Sequence, residues 1–577
     1  MWIKILLLFF TFSFLFRTDR AFDQDLGRHL KLGEIIVQTH QVPKTNLFSY
    51  TNPDFPFINT HWLFEVLVYF FHQTVGLTPL LFLKIVIFLS SVLLIIKIIP
   101  KEKTALLLPV GFIFLHVLRE RTELRPEIFS FLFTALTYYI LEKFTSSLRA
   151  NTVSVAISQN NQIASSPSTN AQDPRNDTAG KLIFFLPIIQ LIWINTHIYF
   201  FVGLALQAVF LIHSISRKIR LLSTVLLLSI LISLINPNGL TGLIYPLNVT
   251  KNYGYTIVEN QTMFLLESIN FKDPNFLFVK LSAVLIGLSL LVAFFRKNWQ
   301  MKNILLPVGG LVLALLNVRS FPYLVFLSLP ATMQNFGVIP WNKLTKTLTI
   351  VAAALLLFES YFYLNGDYYR FNDQPVRPNL EFAESTKGAL DFMISKDLPK
   401  PLFNNFDIGS YIIYRAFPKY QIFVDGRPEA YPAQFFNGIY IPGQSDYNNF
   451  KELEKIYGFK TIIFSHTDQT PWGRNFLQSV IKDEAWKLVY IDDFAVVLTT
   501  TETINQKQLP IIDPAKLDPT SYQFGNHVSY LRLGLFLLNN QYIESGRQFI
   551  LKTLQLFPDD PIASLILGQR SKNIYLW

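Results

Sequence analysis

Asp23 and Asp25 stand one residue apart just after the first apolar run, and His29 follows closely. Alternate carboxylates in an extended loop can be brought to one site, where they deprotonate an acceptor hydroxyl or bind a divalent metal. Arg121, Arg125 and Arg319 occur in other short polar segments between apolar runs. A guanidinium is a planar fork that binds two oxygens of a phosphate at once. These types suit transfer of a group from a lipid-anchored donor, such as a polyprenyl phosphate with its tail in the bilayer and its phosphate at the headgroup level. His29, His61, Glu65, Asn195, His197, Asn236, Asp425 and Arg427 are further candidates for a substrate pocket.

Each candidate has a plainer reading. Asp23 and Asp25 could balance Arg17, Arg20 and Arg28, and Arg121 and Arg125 have Glu120, Glu123 and Glu127 close by. Asn195 and His197 fall where a tight turn or cap is the ordinary role, and Asp425-Gly-Arg427 can be a turn closed by its own ion pair. His61, Glu65 and His72 share one helical stripe, which suits a metal or simply a polar face. Whether the reaction uses a divalent metal such as Mg or Mn on Asp23 and Asp25 is left open.

The elements that must position these groups are membrane helices. Of 577 residues, 51% are hydrophobic, 15% aromatic and only 16% charged, with a mean hydropathy of +0.32. A soluble protein carries about 25% charged residues, so a disordered chain and an ordinary cytosolic enzyme are excluded. Cysteine is absent, which removes disulfides, thiolate metal sites and a Cys nucleophile.

Apolar runs near 2–17, 78–98, 104–118, 126–145, 181–195, 198–214, 220–236, 276–295, 303–318, 320–337 and 344–364 read as eleven spans. Four basic clusters alternate with them: Lys97, Lys101 and Lys103; Arg217, Lys218 and Arg220; Arg296, Lys297 and Lys302; Lys343 and Lys346. Placing all four in the cytoplasm accounts for much of the +10 net charge without nucleic acid as partner. The N-terminus is then cytoplasmic, in the plasma (inner) membrane, and the mass after about 365 lies outside. The Ser/Asn/Gln-rich stretch 147–180 reads as a flexible cytoplasmic linker. The run 61–75 is short and striped, so it reads as an amphipathic helix at the outer interface. Lys84, inside a span, is expected to snorkel outward.

With this topology the polar motifs collect on one face. Asp-x-Asp-Leu-x-x-His-Leu-x-x-Gly from Asp23, Val-Pro-x-Thr-Asn-x-Phe-Ser-Tyr-Thr from Val42, Asn-x-His-Trp-Leu-x-Glu from Asn59, Leu-Arg-Pro-Glu-Ile-Phe-Ser-Phe from Leu124 and Trp-Ile-Asn-Thr-His from Trp193 follow in order. So do the stretches 403–415 and 423–429. This set resembles the GT-C glycosyltransferases, which include oligosaccharyltransferases, protein O-mannosyltransferases and aminoarabinose transferases, and is most similar to a bacterial group of GT-C-like membrane proteins. It departs from that group at Gly27-Arg28, where aromatics are common. The resemblance covers roughly residues 20–500 and implies a reaction type: sugar transfer from a polyprenyl-phosphate donor to an extracytoplasmic acceptor (lipid, glycan or protein). It implies Asp23 and Asp25 as catalytic carboxylates, and the residue chemistry places Arg121, Arg125 and Arg319 as expected ligands of the donor phosphate. The alternatives are a non-enzymatic scaffold or a transporter of a lipid-linked sugar.

The expected fold is thus a polytopic α-helical body, GT-C-like, over 1–366, with its first outer loop at 18–77. A soluble extracytoplasmic α/β domain follows over 367–505, with β-like runs at 421–425, 460–465 and 487–498. The tail 506–577 is expected to be tetratricopeptide-like, from the spacing of Leu533-Gly534, Leu537, Gly546, Ile550 and Pro558. One such repeat must pack on a neighbour, and its free face could take a protein partner.

Overall fold

The computed structural model describes residues 1–160, 181–214, 217–248, 253–269 and 273–568, with side chains left out at 147–160 and at 217 and 218. Each segment read as a span contains helix. Thr78–Ile98, Pro274–Phe295 and Lys343–Leu364 are long and apolar enough to cross a membrane. Trp2–Leu15, Ile183–Thr196, Ile198–His213, Ile219–Ile232 and Met301–Leu316 are apolar but shorter. The run read as 104–118 shortens because Leu107–His116 tightens into a 3-10 turn at Val117–Glu120. Helix Glu127–Asn160 extends into the stretch read as a linker, whose remainder, 161–180, lies outside the described residues.

Helix Phe321–Phe336 is the axis of this body, since every one of its residues is buried. It touches Met301–Leu316 closely at Gly310, where a Cβ would fall 2.7 Å from Ser328 Oγ. At one end of the bundle two of the basic clusters converge. Lys103 Nζ donates to Gln334 O at 3.2 Å, Arg296 Nη1 donates to Phe336 O at 2.7 Å, and Lys302 pairs with Glu142. At the other end lie the polar motifs.

The stripe of 61–75 forms helix Trp62–Val75, packed along Gly27–Thr39. Gly33 permits this contact, because a Cβ there would lie 2.1 Å from the carbonyl oxygen of Glu65. The far side of Gly27–Thr39 meets helix Gly409–Ala416, with Arg28 N–H donating to Ser410 Oγ at 2.9 Å.

Beyond Phe371 the chain builds a four-stranded sheet in the order β1-β2-β4-β3: β1 Leu402–Asn404, β2 Thr461–Ser465, β3 Trp486–Ile491 and β4 Ala495–Thr500. β1 and β2 are parallel and the other pairs antiparallel. Two strand expectations change. Residues 421–425 form no ladder strand. Instead the side chain of Asn404 takes the place of a neighbouring strand, accepting from Phe423 N and donating to Val424 O. The run 487–498 divides into β3 and β4, because Asp492 accepts from the N–H groups of Phe494 and Ala495 and turns the chain. Phe403, Phe423, Phe450, Phe459 and Phe476 fill the core beneath the sheet.

Helices His527–Asn539 and Ile543–Leu556 form the tail's hairpin. Its apolar face, with Leu533, Phe536, Leu537 and Phe549, belongs to the same core as the sheet. This helical hairpin is therefore buried on a neighbour within its own chain.

Candidate functional site

Residues Phe22–Leu26 form a single π-helical turn, and it points Asp23 and Asp25 to different places. Asp23 accepts from the backbone N–H groups of Ser385 and Thr386 at 2.8 and 3.2 Å. Burial pushes its carboxyl up to about 6, although those N–H groups pull it down. Asp25 faces two guanidiniums: Arg28 Nη2 at 2.9 Å from Oδ1 and Arg125 Nη1 at 3.2 Å from Oδ2. Burial would raise Asp25, but Arg125 and Arg28 outweigh it and hold its pKa below the ordinary value. Asp25 is therefore an ionised carboxylate. The oxygens of this pair face guanidinium and backbone N–H donors.

Asp19, not among the candidates, anchors the same loop. Its Oδ2 accepts from Lys84 Nζ at 2.8 Å and from Leu124 N at 2.9 Å. Lys84 is 1% exposed and so does not snorkel; a buried counterion holds it inward. This pair ties the Asp25 loop to the segment that carries Arg121 and Arg125.

The three candidate arginines converge on one carboxylate, Glu259. Arg121 Nη1 stands 2.5 Å from Oε1, Arg125 Nη1 3.2 Å from Oε1 and Arg319 Nη2 3.5 Å from Oε2. Burial would raise Glu259, but Arg121, Arg125 and Arg319 together hold it far below the usual carboxylate range. Arg121 also grips Glu127 in a bidentate pair at 2.6 and 2.8 Å. The local pairing expected for Arg121 and Arg125 is thus present, yet it is joined by Glu259, which sequence reading missed. A loop acid with no basic residue within several positions was its one signal. Arg121, Arg125, Glu127 and Glu259 line a cavity of about 480 Å³ whose wall also carries Arg20, Arg119 and Glu123.

His29 Nδ1 lies 3.0 Å from Glu65 Oε1, and Asn59 donates to the other Glu65 oxygen at 2.6 Å. Burial pushes Glu65 up to about 7, against the pull of Asn59 and Arg28, and drives His29 well below its usual value. His61 falls to about 3, through burial and then Arg28 and Arg319. The imidazoles of His29, His61 and His197 follow one another at 5.7 and 5.5 Å between ring centres. His197 stacks on Tyr199 at 5.4 Å, and its Nδ1 is 2.7 Å from Ser130 Oγ. The metal stripe of His61, Glu65 and His72 is not assembled. Glu65 turns to His29, while His72 meets Tyr414 Oη at 3.2 Å.

Asn195 accepts from Trp62 Nε1 at 2.7 Å and donates to Ile235 O, bracing the helix Trp62–Val75. Asn236 closes its own turn by donating to Ser233 O and Gly239 O. Asp425 and Arg427 form a buried pair, and Arg427 also donates to Asn46 Oδ1 at 2.7 Å. The turn between them touches the site: a Cβ on Gly426 would lie 3.3 Å from Gln24 O and 3.9 Å from Asp25 Oδ1. Asp25, Arg28, Arg125, Arg319, His61 and His197 thus share one polar region, walled by the 425–427 turn, while Asp23 and Asn236 serve the backbone.

No protein-family model and no curated protein matches the chain. Among solved structures, it is similar to the archaeal oligosaccharyltransferase AglB from Archaeoglobus fulgidus in complex with an inhibitory peptide and a dolichol-phosphate. The TM-score is 0.53 at 10% identity, covering 99% of this chain and 87% of that chain. It also matches the Archaeoglobus fulgidus oligosaccharyltransferase tethered with an acceptor peptide containing the NVT sequon via a disulfide bond, with TM-score 0.46, 10% identity and coverage of 87% and 74%. The helical body, the helices Gly27–Thr39 and Trp62–Val75 and the small mixed sheet together share the fold of that AglB structure.

Proposed function

We propose that the chain is a membrane glycosyltransferase that moves a sugar from a polyprenyl-phosphate-linked donor to an acceptor at the outer face. The observation that carries this is the convergence of Arg121, Arg125 and Arg319 on a single carboxylate beside Asp25. Guanidiniums arranged around two anionic oxygens are also arranged for phosphate oxygens. The GT-C-like fold supports the reading, since the similar AglB structure holds a dolichol-phosphate.

In this reading the acceptor hydroxyl donates to Asp25. A bond forms from its oxygen to the anomeric carbon as the bond from that carbon to the phosphate oxygen breaks. The electron pair leaves with the phosphate, where Arg121, Arg125 and Arg319 hold the charge. The acceptor's proton passes to Asp25. Drawing Arg125 toward the phosphate removes one counterion from Asp25 and raises its basicity as donor binds. His29, His61 and His197 are neutral and shape the pocket by hydrogen bonding. The eleven helical segments sit in the inner membrane with the N-terminus inside, so that 18–77 and the 367–577 mass face outward. The tail's exposed side remains a candidate protein-binding surface.

The test is binding of a polyprenyl monophosphate to the detergent-purified protein. Wild type binds, and Arg319→Gln weakens binding by about 10-fold or more, in line with loss of a charge-assisted contact of about 1.5–3 kcal/mol. Equal binding by wild type and an Arg125→Gln/Arg319→Gln variant would sink the reading.

A further inference from the structure

Away from this region, three side chains from segments distant in sequence point at one another. Asp373 follows helix Asp367–Phe371, His527 begins helix His527–Asn539, and Asp560 caps helix Pro561–Ile566. His527 Nε2 lies 3.7 Å from Asp373 Oδ1 and 3.8 Å from Asp560 Oδ2, and the three atoms fall within 4.8 Å of one another. A hydrogen bond needs about 3.2 Å or less. None of the three atoms has a hydrogen-bond partner, and all three are sealed from solvent. Asp560 is wholly buried and His527 7% exposed by side chain. Such an arrangement costs free energy unless something sits at its centre.

We propose that Asp373, His527 and Asp560 bind a divalent cation of the zinc class, which ties the helical tail to the base of the outer domain. One imidazole nitrogen and two carboxylate oxygens are ligands that zinc takes readily. Metal–ligand bonds of about 2.0–2.2 Å in a tetrahedron place ligand atoms about 3.4 Å apart. The two histidine–carboxylate gaps therefore need to close by only a few tenths of an ångström. Backbone geometry already commits two of the ligands. Asp560 Oδ1 accepts from Ala563 N at 2.8 Å, which turns Oδ2 inward, and Asp373 sits at φ +49°, which aspartate tolerates. Phe557 packs on the His527 ring at 4.8 Å and is covered by the Arg370 guanidinium at 4.7 Å, so an apolar wall flanks the site. A water fills the remaining coordination position. This site lies outside the proposed transfer chemistry and stands whether or not that reading holds.

The experiment uses the full chain with a histidine-free tag, in an Asp25→Asn background so that zinc cannot report on the outer-loop carboxylate. After stripping with chelator, incubation with zinc and gel filtration, mass spectrometry should find one zinc per chain. Thermal unfolding should shift upward with zinc. His527→Gln and Asp373→Asn/Asp560→Asn should lose both the retained zinc and the shift. Asparagine still caps a helix, so fraying of the last helix does not mimic this loss. Retention of no zinc by the parent, or equal retention by the variants, overturns the proposal. So does an Asp373→Asn/Asp560→Asn protein that is more stable than its parent with zinc bound to neither, since a shared proton would then fill the gap.

Discussion

Arg125 and Asp25 meet at 3.2 Å, although 100 residues of chain separate them and each also serves a second partner of opposite charge. The contact makes the ionisation of Asp25 depend on where Arg125 points. Asp25→Asn should therefore reduce transfer by about 100-fold or more while leaving expression and thermal unfolding near wild type. Asp23→Asn should do the reverse, lowering stability by about 1–3 kcal/mol through weaker acceptance from Ser385 and Thr386. Transfer assays paired with melting curves separate the two.

Glu259→Gln removes the anion shared by Arg121, Arg125 and Arg319. The variant should unfold more easily by about 1–3 kcal/mol, and millimolar inorganic phosphate should recover more of its melting temperature than it adds to wild type. An identical phosphate response in both proteins would show that the guanidiniums do not take phosphate.

Lys84 and Asp19 are buried at 1% and 0% exposure. Lys84→Met leaves Asp19 charged and alone, and should cost about 3–5 kcal/mol. Lys84→Met/Asp19→Asn should recover much of that loss, as a double-mutant cycle by denaturation would reveal.

Glu65 sets a pH slope. Its carboxyl sits at about 7 in the folded chain against 4.5 in the unfolded one. Between those values the folded state carries the extra proton, so stability falls as pH rises through this window and levels off above it. Glu65→Gln should flatten that part of the profile. Melting curves of both proteins at about pH 5 and about pH 8 check the difference.

The outward placement of the site is tested by cysteine accessibility, because the natural chain has no cysteine to interfere. Cysteines at the exposed positions 44 and 240 should react with an impermeant reagent from outside. Labelling from the cytoplasm would reverse the topology.

Some of this was readable before any coordinates. Apolar runs mark helix because burial and lipid both demand it, and the stripe of His61, Glu65 and His72 marked Trp62–Val75 as a separate helix. What escaped depends on long-range partners. Lys84 looked like a snorkelling lysine because Asp19 lies 65 positions away. Glu259 sat in an unremarkable loop, and only the fold brings three arginines to it. The stretch 421–425 has the composition of a strand, but it makes only an isolated bridge from Ile422 to Ser49 and is otherwise met by the Asn404 side chain. Asp23 and Asp25 looked equivalent, and a single π-helical turn separates them.

Helix Phe321–Phe336 has a consequence for how the molecule is made. It is surrounded by protein along its whole length and carries Ser328, Thr332, Gln334 and Asn335 among its buried residues. Alone in lipid those groups would be unmatched, whereas the long apolar helix Pro274–Phe295 could wait there. In the proposed topology, biogenesis would then leave this segment until its wrapping helices are available. The helices that pack on it, Met301–Leu316 and Pro274–Phe295 among them, precede it in the chain, so its partners are already made when it emerges.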